Sequence, residues 1–64
     1  MTLSEVTHAI DLGFQDEVGK LLNVLMLNVQ SGDHGAQADF ERGLTVCLRA
    51  HDLAVASAAK LLKS

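Results

Sequence analysis

Cys47 and His51 stand four residues apart, a spacing that places a thiol and an imidazole on one helix face and can seat two metal ligands. A structural zinc site needs four ligands. The chain has no second cysteine, and His8 would join the pair only if the polypeptide folded back in the right register. A cysteine on an apolar stripe more often packs as a small hydrophobe, so the expectation is no metal and no cofactor.

Asp33 with His34, and His8 with Asp11, are the pairs that could exchange a proton with a substrate. General acid–base catalysis also needs a pocket that orients the substrate and excludes water, and a chain this short is expected to offer none. Neither a glycine-rich phosphate loop after a strand nor a nucleophile elbow is present. The reading is a non-enzyme with no catalytic residue. Arg42, Arg49, Lys60 and Lys63 fall on much the same outer side of one helix, and such a ridge can hold nucleic-acid phosphates. Without stacking aromatics beside it, in a chain of net charge −3, it reads instead as a solvated face.

These side chains must be positioned by a chain of only 64 residues. A single core below roughly 70–80 residues seldom supplies more than about 3–5 kcal/mol, and small chains usually add disulfides, a metal or a partner. One cysteine excludes an internal disulfide and fits a reducing cytosol. Met1 to Leu12 carries Glu5 and Asp11 without a basic region, unlike a secretory signal. The apolar runs are far shorter than the roughly 18–20 residues of a membrane span. The expectation is a soluble cytoplasmic chain that does not act alone.

No proline, tyrosine or tryptophan interrupts a composition rich in alanine and leucine, so the fold class is all-α. Thr2-Leu3-Ser4-Glu5 matches the reciprocal capping box, with Ser4 as a rival cap. Leu3, Val6, Ile10, Phe14, Val18, Leu21, Leu25 and Val29 recur at steps of three and four. The stripe keeps phase through Gly13 and Gly19, which predicts one helix over about 3–31; a break at Gly13, leaving a short N-terminal helix, is the alternative. Ser31-Gly32-Asp33-His34-Gly35 is the only punctuation, with Gly32 suited to the left-handed helix end and Asp33 to capping the next helix. The turn is expected at about 32–35 and helix two at about 36–62, with Phe40, Leu44, Cys47/Leu48, His51, Ala54/Val55, Ala58 and Leu62 inward. A connection this short lays the helices antiparallel, giving a single two-helix hairpin domain over 1–64.

The segment Leu21 to Val29 is apolar all round, more than one buried stripe requires. Val24, Met26 and Leu27 fall outside the inward arc of helix one, and Val46, Ala50 and Leu53 form a second row on helix two. If the two rows lie at matching heights they form one patch, expected to meet another chain. Two occupants complete the hairpin: a helical partner protein, or, as the alternative, a second copy making a four-helix-bundle regulatory protein that binds RNA or DNA through the basic ridge on helix two.

The Gly32-Asp33 turn, followed by Gln37, Phe40, Arg42 and an Ala/Leu-rich second helix, resembles the small E-component co-chaperones of the type III secretion needle. The Met1-Thr2 opening with Leu3 and Glu5 is similar too. The likeness covers most of the chain as a pattern, while helix one is more apolar and less charged than in that family. It implies a cytoplasmic, non-enzymatic protein that pairs with a larger helical-repeat chaperone. Together, the two would keep the needle subunit monomeric before export.

Overall fold

The computed structural model describes residues 1–62, so Lys63 of the basic ridge lies outside the described residues. Two helices, α1 (Leu3–Gln30) and α2 (Ala36–Leu61), pack antiparallel as an all-α hairpin. The helix α1 opens on the reciprocal cap: Glu5 N–H donates to Thr2 Oγ1 at 3.1 Å, and Thr2 N–H donates to Glu5 Oε1 at 3.0 Å. It then runs unbroken, so the alternative of a separate short helix before Gly13 is discarded. Each of the two glycines costs about 1 kcal/mol of helix preference, too little to break a continuous inward stripe of Phe14, Val18 and Leu21.

At the other end, Gly32 adopts φ 78°, with its N–H donating to Val29 O at 3.1 Å while Asp33 N–H donates to Asn28 O at 3.0 Å. This pair of bonds is the Schellman closure, which needs a left-handed residue at the glycine position. Asp33 does not cap α2 as its sequence position suggests. The N-cap is Gly35, and Asp33 Oδ1 instead accepts from Gly35 N–H at 2.8 Å. The tight closure leaves Asp33 too early in the chain, so its carboxylate rigidifies the loop rather than the first turn of α2.

The helices pack closely at Gly43, where an added Cβ would stand 2.7 Å from Leu21 Cδ2. This contact turns the small side of α2 (Gly43, Cys47, Ala54 and Ala58) toward α1. Leu48, expected inward beside Cys47, is left 49% exposed as a result. Val29, expected to close the hairpin, is likewise 62% exposed. Asn28 takes its place, lining a small cleft with Leu21, Val24, Leu25, Ala36 and Phe40. The reason is the turn, which brings the start of α2 to the Asn28 side of α1.

Among the described residues only Ala36 and Ala58 are buried. The Cα atoms span 50 × 15 × 7 Å with a radius of gyration of 15.0 Å, against about 11 Å for a compact chain of this length. The hairpin is one layer of helix with two broad faces and no enclosed core.

Candidate interaction faces

Contacts of Leu21 with Gly43 and of Phe14 with His51 fix the register: facing residues have numbers totalling about 64 or 65. Phe14 and His51 rings lie 4.9 Å apart, tilted by 56°. One helical step away, His51 Nε2 donates to Asp11 Oδ1 at 2.8 Å, joining the two helices. A carboxylate only accepts, so Nε2 carries the proton. The bond from Asp11 raises the His51 pKa above its ordinary value; partial burial opposes this, and Asp52, 3.7 Å from Nδ1, adds to it. Asp11 therefore serves His51 and not His8.

Beside this pair lies an open groove of about 290 Å³ lined by Ile10, Gly13, Phe14 and Glu17 of α1 and Cys47, Ala50, His51 and Ala54 of α2. Glycine and alanine at these positions leave an open furrow between the two helices. Its lining is almost wholly apolar. Cys47 is a free thiol, half-buried among these residues. Among the described residues no three His, Cys, Asp or Glu side chains converge as metal ligands would.

The six candidate partner-binding residues are all exposed: Val24, Met26, Leu27, Val46, Ala50 and Leu53. They fall into two groups staggered along the hairpin. The register sets Val46, Ala50 and Leu53 across from about residues 18, 14 and 11 of α1, roughly 9 to 20 Å along the axis from Val24 at 1.5 Å per residue. Matching heights assumed a pairing that the turn does not make. They also divide by direction. Val24 and Ala50 belong to the grooved face, whereas Met26, about 160° around α1 from Val24, belongs to the other face with Leu22 and Val29. Leu22, 47% exposed, and Leu12, 52% exposed, are apolar surface that the inward-stripe reading passed over.

Lys20 lies 3.2 Å from both Asp16 and Glu17, and these carboxylates, Asp16 first, raise its pKa. On the basic ridge, Arg42 is paired with Asp39, so one of its cations already has a partner within the helix. No helix among the described residues is long and apolar enough to cross a membrane. Compared with known proteins, the chain matches no family model, no curated sequence and no solved structure.

Proposed function

We propose that this chain is a non-enzymatic, cofactor-free interaction module of the cytoplasm that lays both broad faces of its hairpin against a helical partner protein. The single observation that carries this reading is the one-layer architecture, with two buried alanines and large apolar side chains on both faces. A hairpin so built gains its stability from what covers it. Amphipathic helices bind by setting apolar rows into complementary grooves, and Val24, Met26, Leu27, Val46, Ala50 and Leu53 are the rows available.

Its most concrete form is the secretion co-chaperone to which the sequence bears a resemblance, with a helical-repeat chaperone and a needle subunit as partners. Apolar surface on both faces suits a concave partner that wraps the hairpin better than a flat one that covers one side. The test is affinity purification of the tagged chain from its native cell. Stoichiometric recovery of a larger helical-repeat protein with a small needle-like subunit is the expected result. Leu27→Asp and Leu53→Asp should each abolish that recovery; undiminished capture by both variants would remove these residues from the binding surface.

A further inference from the structure

We propose that in the chain free of its partner protein the grooved face docks a second copy, with α1 packed antiparallel against its own copy about a two-fold axis near Val18 and Gly19, a pairing that the partner would displace. Along this edge of α1, Ile10, Gly13, Glu17, Lys20, Val24 and Leu27 follow one another at steps of three and four, the seam spacing of paired helices. The seam is self-complementary when reversed. Ile10 meets Leu27 of the copy, Gly13 meets its Val24, and Glu17 meets its Lys20, each pair totalling 37 in number. An isologous contact requires this reciprocity, in which residue i touches j and j touches i.

Size and charge both select this arrangement. A Cβ at Gly13 would meet nothing within 4 Å, so the space over it is open. Val24 is 54% exposed and Leu27 is 65% exposed, so both are free to enter the groove beside Gly13, Ile10 and Ala54 of the copy. The side chains of Lys20 and Glu17 are themselves 64% and 57% exposed. Antiparallel pairing makes them alternate in sign across the axis. A parallel pairing would set Glu17 against Glu17 and Lys20 against Lys20, which costs affinity. Area agrees with a second copy as the occupant. The chain exposes 4918 Å², roughly 900 Å² above the approximately 4,000 Å² typical of a folded chain of this mass. A standard interface buries about 800 Å² per partner. The pairing stands without the secretion reading, because it is tested on the isolated chain.

Sedimentation equilibrium of the purified chain should give twice the 6.8 kDa chain mass. Glu17→Lys and Lys20→Glu should each weaken dimerisation by about tenfold or more while circular dichroism stays helical, and an equimolar mixture of the two should recover the dimer by restoring opposite signs at both contacts. As a second measure, Gly13→Cys and Val24→Cys chains, each also carrying Cys47→Ser, should cross-link to one another on mild oxidation far more than either does with itself. A wild-type chain monomeric at concentrations on the order of a millimolar, single variants that dimerise as well as wild type, a mixture that is not rescued, or absent Gly13–Val24 cross-linking would overturn the proposal.

Discussion

His51 is the residue whose chemistry the hairpin uses most directly. Its imidazole spans the two helices through Asp11 and packs at a tilt against Phe14, and the carboxylate raises its pKa in the folded chain. The unfolded chain has no such partner, so the folded state binds the proton more tightly. The stabilisation is complete below the ordinary histidine value of about 6.5 and is lost as pH rises through the higher folded value. Thermal melts should therefore show a midpoint that falls as pH rises above about 6.5. Asp11→Asn or His51→Gln should flatten that component, while His8→Gln leaves it in place. A wild-type midpoint that rises over this range would remove the assigned role.

At the scale of the helices, the glycines separate into three physical cases. Gly32 holds φ 78° at the end of α1, so Gly32→Ala should cost about 1 kcal/mol from left-handed backbone strain. Gly19 has open space where a Cβ would stand, and Gly19→Ala should add about 1 kcal/mol of helix preference. Gly43→Ala carries the same intrinsic gain, but its methyl would press on the Leu21 side chain of the neighbouring helix. It should stabilise less than Gly19→Ala or destabilise outright. Urea unfolding of the three variants at one protein concentration checks the order. Thr2→Ala removes one half of the reciprocal cap and should cost about 1 kcal/mol.

For the molecule as a whole, the decisive quantity is the shortage of interior. A rod 50 Å long whose buried residues, among those described, are two alanines cannot draw much stability from its own packing. Binding of anything to the folded state, a second copy included, raises apparent stability by mass action. The melting midpoint should therefore climb as chain concentration is raised. Glu17→Lys and Lys20→Glu should suppress that climb, and a midpoint independent of concentration would argue that the layer is stable uncovered.

The sequence by itself determined the helices, the capping box at Thr2 and the left-handed stop at Gly32, because each depends on residues within one or two turns of each other. It also determined that apolar residues exceed what one stripe can bury, since angle about a helix axis follows from spacing alone. Height along the neighbouring helix does not. The register came from the Schellman turn and from Gly43 accepting Leu21, and it alone paired Asp11 with His51. The same register opened the groove at Gly13 and Ala50, and it separated Val24 to Leu27 from Val46 to Leu53. It also decided that Asn28 faces inward while Val29 and Leu48 face out. A three- or four-residue rhythm places these neighbours within a single arc, and only the side on which the second helix returns distinguishes them.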